Sequence, residues 1–394
     1  MLLVLWVLLR SAWAGDEAPV VTAAIGKGVT VATPDGRYSM TIRARFVPRL
    51  DLTLTPIAPD GEALDPKVRA TISTARLWVM GNLFSPRFSY TVQLAYAARD
   101  FRDGAISPLY DAFVDWRAHR DASLRVGQFF VPFDRLRTVR EFALQMVDRP
   151  RAVSELTLDR DIGVTVYSDH LGGDRSPVAY RLSVMGGAGM NVVNPRPPGL
   201  LVVGRVELRP LGPVDDDSEG DLDNRAQPGL ALGGAVAYNL NSPRQRSTTG
   251  STLTAGTLDY LHADADLVFK WHGFALSGEY LYRRAASQSV DGVGSDGAPL
   301  TEWARSGQAW VAQASYHTLS GLEVVARGSQ MFADRDTDPA FVSEVAARGN
   351  EVGAGLNWYR NGHRFKIQVG WSALWGDDFA MATHTVATQA DMMF

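Results

Sequence analysis

Polar and apolar residues alternate along most of the chain. From Ser39 to Leu52 one set of alternate positions holds Ser39, Thr41, Arg43, Arg45, Arg49 and Asp51, and the other holds Met40, Ile42, Ala44, Phe46, Leu50 and Leu52. A period of two predicts a strand with one apolar and one wet face. The pattern returns at Phe88, Tyr90, Val92, Leu94 and Tyr96. It returns again at Leu261, Ala263, Ala265, Leu267 and Phe269, set against His262, Asp264, Asp266 and Lys270. Near the end Phe365, Ile367, Val369 and Trp371 alternate with Arg364, Lys366, Gln368 and Gly370, and the last strand closes on Phe394. Aromatics sit near many strand ends, among them Trp78, Trp116, Tyr238, Trp271, Tyr280, Trp310 and Trp358. Such placement matches the girdles that flank the apolar band of a membrane barrel.

The connections carry the topology. Tight turns fall at Ser85-Pro86-Arg87, His119-Arg120-Asp121, His272-Gly273, Ser320-Gly321 and Asn361-Gly362, with longer Gly/Pro/Asp-rich links between them. The reading is all-β: a transmembrane antiparallel barrel of about sixteen strands, short turns on the periplasmic rim and long loops on the other. A soluble sandwich or propeller gives the same local alternation; the strand lengths, the loop parity and the terminal phenylalanine favour the barrel. One link, Leu211–Gln227, is long on the short side. Its acidic run Asp215–Asp223 resembles a calcium loop, but Ala226 stands where the bidentate Glu belongs, so it reads as a solvated acidic turn.

One stretch breaks the alternation altogether. Gln128 to Val164 contains some thirty residues with no strand pattern, and long irregular inserts in compact chains are usually functional. It carries Arg135, Arg137, Arg140, Arg149, Arg151 and Arg160, no lysine, and few acids to pair with them. The whole chain shares the bias, with 35 arginines and 4 lysines among 394 residues and a net charge of −4. Guanidinium forks stay charged and suit anion handling in confined places. Cysteine is absent, which excludes disulfides and thiolate chemistry. The opening run MLLVLWVLLRSAWA ends in Ala12-Trp13-Ala14, a small-x-small cleavage pattern, so residues 1–14 read as a signal peptide. Residues 15–37 then form a periplasmic lead-in, 38–394 the barrel, and 131–161 a constriction loop folded into the lumen.

Several motifs resemble the phosphate-selective porin O/P family of Gram-negative outer membranes. They are Tyr110-Asp111-Ala112-Phe113-Val114-Asp115-Trp116-Arg117, Gly127-Gln128-Phe129-Phe130-Val131-Pro132-Phe133 opening the insert, Asp159-Arg160-Asp161-Ile162-Gly163-Val164 closing it, and Tyr180 to Asn191 running into a glycine-rich loop. The resemblance implies a homotrimer of sixteen-stranded barrels that passes anions along a ladder of arginines. Members of the phosphate type also carry lysines around the mouth; here Lys67 stands almost alone.

The candidate anion path therefore comprises Arg135, Arg137, Arg140, Arg149 and Arg151 of the insert, wall residues Arg43, Arg45, Arg49, Arg76 and Arg125, and Asp111. The expected function is a passive, anion-biased porin without cofactor or resident metal. Phosphate-like inorganic anions are its leading solutes, outer-membrane lipid and the barrel-assembly machinery its partners, and nucleic acid is not among them. The alternative is a barrel enzyme or a non-transporting, adhesin-like barrel. The chain has neither G-x-S-x-G nor H-E-x-x-H to supply a hydrolase centre. Gly292–Gly297 fits G-x-G-x-x-G but lacks the βαβ setting a nucleotide site needs.

Overall fold

A computed structural model describes residues 18–57, 64–104, 107–192, 197–294 and 296–394; the expected signal peptide lies outside them. Sixteen strands among the described residues form one closed antiparallel barrel. They are β1 (Ser39–Pro56), β2 (Leu64–Leu83), β3 (Ser85–Ala95), β4 (Leu109–His119), β5 (Ala122–Phe130), β6 (Arg160–Ser168), β7 (Val178–Met185) and β8 (Leu200–Leu208). The second half comprises β9 (Gly229–Ser242), β10 (Leu258–Trp271), β11 (Phe274–Ala285), β12 (Gly307–His317), β13 (Leu322–Ala333), β14 (Asn350–Tyr359), β15 (Phe365–Trp375) and β16 (Thr383–Met393). Each pairs with the next, and β16 returns to β1 with His384 opposite Leu54 and Met393 opposite Arg45. Phe394 extends that seam, its N–H and carbonyl both bonded to Ala44. Closure removes every free edge from the wall.

The lead-in is more ordered than its polar composition suggests. Two short strands, Val20–Ala24 and Gly28–Ala32, make a hairpin whose second strand pairs with Ser39–Ile42 of β1, beyond the end of the β16 pairing.

Alternation sets the faces as the sequence implies. On β10 the residues His262, Asp264, Asp266 and Lys270 are buried toward the lumen, while Leu261 and Leu267 are exposed on the outside. An arginine placed at Leu267 or Ile367, both on the outer face, should cost about 2–4 kcal/mol near the bilayer midplane. The same change at Thr385, a partly exposed lumen-side residue, should cost little. Urea unfolding in liposomes measures both, and equal costs would reverse the face assignment.

The insert does not hang as an open loop. Pro132 and Pro150 interrupt strand pairing, and two short helices form, α1 (Arg135–Thr138) and α2 (Arg151–Leu156). Asp134 caps α1 by accepting the Arg137 N–H at 2.6 Å. Val131, Phe133, Leu136, Ala152, Val153, Leu156 and Leu158 bury themselves against lumen-facing Leu201, Val203, Ala235, Ala237, Leu281, Ala309, Val311 and Met331. The barrel thus has an apolar core inside its lumen, along strands β8–β13. Farther on, Met146 lies so close to β14 that a Cβ on Gly353 would stand 2.8 Å from its Cε and push that side chain aside.

The link between β8 and β9, residues 209–228, also turns inward, from the short-turn rim. Val214, Asp216, Ser218, Glu219, Gly220 and Asp221 are buried, where a solvated turn was expected. Lumen donors draw it in: Lys270 Nζ reaches the Ser218 carbonyl at 2.8 Å, and Gln313 reaches Glu219 at 2.9 Å.

Candidate functional site: the charged lumen

The insert crosses the lumen and meets wall strands on nearly every side. The Phe133 carbonyl accepts Arg205 of β8 at 2.7 Å, and Arg135 Nε donates to Asp266 of β10 at 2.5 Å. Leu136 N donates to Glu279 of β11 at 2.8 Å. The Leu144 carbonyl accepts Lys366 of β15 at 2.6 Å, and the Gln145 carbonyl accepts Asn357 of β14 at 2.8 Å. Arg45 of β1 reaches Glu141 at 3.3 Å. The insert is therefore a septum held by hydrogen bonds and ion pairs.

Its arginines are mostly engaged, and their partners lie largely outside the segment itself. Arg135 pairs with Asp266 and with Asp216 of the inward-turned link, 2.9 Å away. Arg137 binds Asp159, and Arg151 binds Glu344 on the helix Pro339–Arg348. Arg149 donates to the carbonyls of Leu136 and Arg137 at 2.9 and 3.2 Å and to that of Val139, closing the α1 turn like a clasp. Burial and the neighbouring Arg137 bring Arg149 down to about 10, so it stays charged at neutral pH. Arg140 alone of the five keeps a largely open head: it touches Asp111 at 3.2 Å and its side chain is 39% exposed. A sequence cannot show this pairing, because the partners sit tens to hundreds of residues away.

On the wall, Arg45 forks onto Asp391 at 2.8 and 2.7 Å, and Arg49 forks onto Asp148 at 2.7 and 2.6 Å. Arg76 binds Asp100 and lies 4.4 Å from the Tyr110 ring centre. Arg125 binds Asp115 at 2.9 Å over the Phe113 ring. Arg43 holds a buried Nε that has no partner. Asp111 accepts Arg160 at 2.7 Å as well as Arg140, and Arg160 lies between the Tyr110 and Phe130 rings at 3.6 and 3.7 Å. Strands β1 to β6 thus carry a basic, aromatic-lined wall.

Facing that wall are carboxylates of the insert that the sequence reading passed over. Glu141 meets Arg99, Arg45 and Arg76 at 3.1, 3.3 and 3.9 Å. Burial pushes its carboxyl up, but Arg99, Arg76 and Arg45 outweigh that and hold it well below the usual carboxylate range. Asp148 behaves alike, burial being outweighed by the hydrogen bond from Arg49. Asp148 sits deep in the barrel, with Arg327 of β13 donating to its carbonyl, yet its side chain is 53% exposed; Arg99 is 35% exposed. Water reaches the middle of the barrel between the basic wall and the septum.

On the short-turn side a cavity of about 750 Å³ opens below the septum. Arg117, Arg125, Arg140 and Arg181 line one part of it, with Asp215, Asp216 and Asp217 of the inward-turned link in another.

No family model matches the chain, and no curated protein does. Solved structures do. OmpF of Salmonella typhi, solved in complex with daunomycin, aligns over 92% of this chain and 99% of its own with a TM-score of 0.58 and 11% identity. OprB of Pseudomonas putida aligns over 90% and 94%, with a TM-score of 0.56 and 8% identity. DcaP of Acinetobacter baumannii, described as an outer membrane channel, aligns over 92% and 99%, with a TM-score of 0.53 and 14% identity. At such identities the likeness is one of architecture: the chain has the sixteen-stranded barrel fold of these outer-membrane proteins.

Proposed function

We propose that the chain is a porin, a passive diffusion channel in the outer membrane of a Gram-negative bacterium, with the insert as its constriction. The observation that supports this best is the water-exposed charge at mid-barrel: Asp148, Arg99 and Arg140 keep open heads between a basic wall and a septum that leaves part of the lumen unfilled. Rows of arginine along a confined path favour anions, so the finer reading is an anion bias, with phosphate-like oxyanions as leading solutes. The bias shifts from Arg135, Arg137, Arg149 and Arg151, which are tied, to Arg140, Arg99 and the wall. Residues 18–37 face the periplasm, and three copies assemble in the lipid, the latter as the sequence resemblance implies.

Purified protein in a planar bilayer should give discrete open-channel steps in KCl. A silent, folded barrel would remove the channel reading in favour of the adhesin-like or enzymatic alternative.

A further inference from the structure

We infer that the inward-turned link, residues 209–228, is a second filter in series with the insert, acidic where the wall above it is basic. The inference rests on the channel reading and adds to it an element of opposite charge at the other mouth. The other connections on that rim, such as residues 120–121, 272–273 and 318–321, stay at the rim. This one enters the barrel and docks. Asp216 accepts Arg135 at 2.9 Å, and Arg209 holds the same carboxylate at 2.9 Å. Glu219 accepts the Gln145 backbone N–H at 2.7 Å and the Gln313 side chain at 2.9 Å. Gly220 packs so tightly that a Cβ would stand 2.7 Å from Glu323 Oε1. At its far end Asp221 accepts the Gly273 N–H at 2.7 Å, fixing the return to β9.

Inward and outward positions alternate along the strap. Asp216, Ser218 and Glu219 point into the septum and the wall, while Asp215 and Asp217 stay exposed and line the 750 Å³ cavity. The Asp217 carboxylate has no hydrogen bond or ion pair among the described residues. Residues 212–228 hold six carboxylates and one arginine; Asp216 is held by Arg135 and Arg209, while Asp215 and Asp217 give the cavity an acidic side opposite Arg117, Arg125 and Arg181. Charges within a Debye length, about 8 Å at physiological salt, act on a passing ion. A solute therefore meets a basic constriction and then a vestibule whose strap side is acidic. That order favours small solutes bearing both charges over simple anions.

The β8–β9 register, with Leu208 opposite Leu232, lets a two-residue Asn-Gly turn replace residues 212–228. In planar bilayers the shortened barrel should conduct up to about twofold more, since strap and insert act as resistances in series. Its zero-current potential in a KCl gradient should move toward anion permeation. Unchanged conductance and potential in a folded, heat-modifiable barrel would overturn the inference. A point variant guards against misfolding: Asp217→Lys alters one exposed, unpartnered side chain and should move the potential toward anions with little change in conductance, and no movement would overturn the filter. The two readings separate cleanly. Wild-type silence with an open shortened variant supports the strap as an obstruction while refuting an open wild-type channel; silence of both refutes both.

Discussion

Replacing Arg205 with methionine should destabilise the barrel by about 3–5 kcal/mol, the usual cost of removing one partner from a buried ion-pair network. Arg205 is 3% exposed and binds Glu207 at 2.9 Å, Asp264 at 2.9 Å, Asp266 at 2.6 Å and the Phe133 carbonyl at 2.7 Å. Arg135 is already shared between Asp266 and Asp216, while Arg181 and Arg209 hold Glu207 at 2.9 and 3.2 Å. With Arg205 gone, Asp264 loses its ion-pair partner and Asp266 keeps only Arg135, both in a poorly hydrated place. The loss comes from stranding those charges, not from the intrinsic worth of the pairs. A triple variant, Arg205→Met with Asp264→Asn and Asp266→Asn, should therefore recover much of it. Arg205→Lys should fall between, because a compact ammonium with three donors cannot span the four acceptors that the guanidinium reaches. Urea unfolding in liposomes gives the ordering. A cost under about 1 kcal/mol for the methionine variant, as for an exposed pair, would mean that the septum is anchored elsewhere.

The wall was legible in the sequence because a strand's two faces are written in adjacent residues. β10 and β15 fall where alternation put them, and the glycine and proline punctuation located most turns. The contents of the lumen were far less legible. A lumen face that meets water must be polar, but one covered by the insert must be apolar, and the second condition erases alternation. Leu200-Leu201-Val202-Val203 on β8 and Ala309-Trp310-Val311-Ala312 on β12 are apolar on both faces for this reason. Such runs beside a long insert were the available signal that the insert packs on strands β8–β13. The glycines at 353, 355 and 370 were another, since they leave room for Met146 and Val147.

Charge was read correctly as abundant and incorrectly as free. The insert reads as poor in acids beside its arginines, yet Asp134, Glu141, Asp148, Glu155, Asp159 and Asp161 lie within it, and further partners come from outside. In three dimensions Arg135 finds Asp216 and Asp266, and Arg151 finds Glu344. The acidic run at 215–223 looked like a solvated turn because nothing local reveals that Lys270, Gln313 and Arg135 wait inside the barrel. Its anomalous length on the short-turn rim was the one clue that it does more than turn.

The last expectation concerns which charges select ions. Changing Arg99 and Arg140 to glutamine should move the zero-current potential in a KCl gradient toward cations, and changing Asp148 to asparagine should move it toward anions. Water reaches these side chains between wall and septum, at 35%, 39% and 53% exposure. A unit charge about 4 Å from an ion is worth roughly 4 kcal/mol at an effective dielectric near 20, before desolvation and screening reduce it. Even a quarter of that, about 1 kcal/mol, shifts a permeability ratio roughly fivefold by Boltzmann weighting. Arg135, Arg137, Arg149 and Arg151 should behave differently. Their guanidinium groups hold the septum together, so their glutamine variants should give scattered, unstable conductance and lower stability instead of a clean change of selectivity. If the four tied arginines shift the potential while keeping a single sharp conductance, and Arg99 and Arg140 do not shift it, the filter lies in the body of the insert and not at its water-exposed edge.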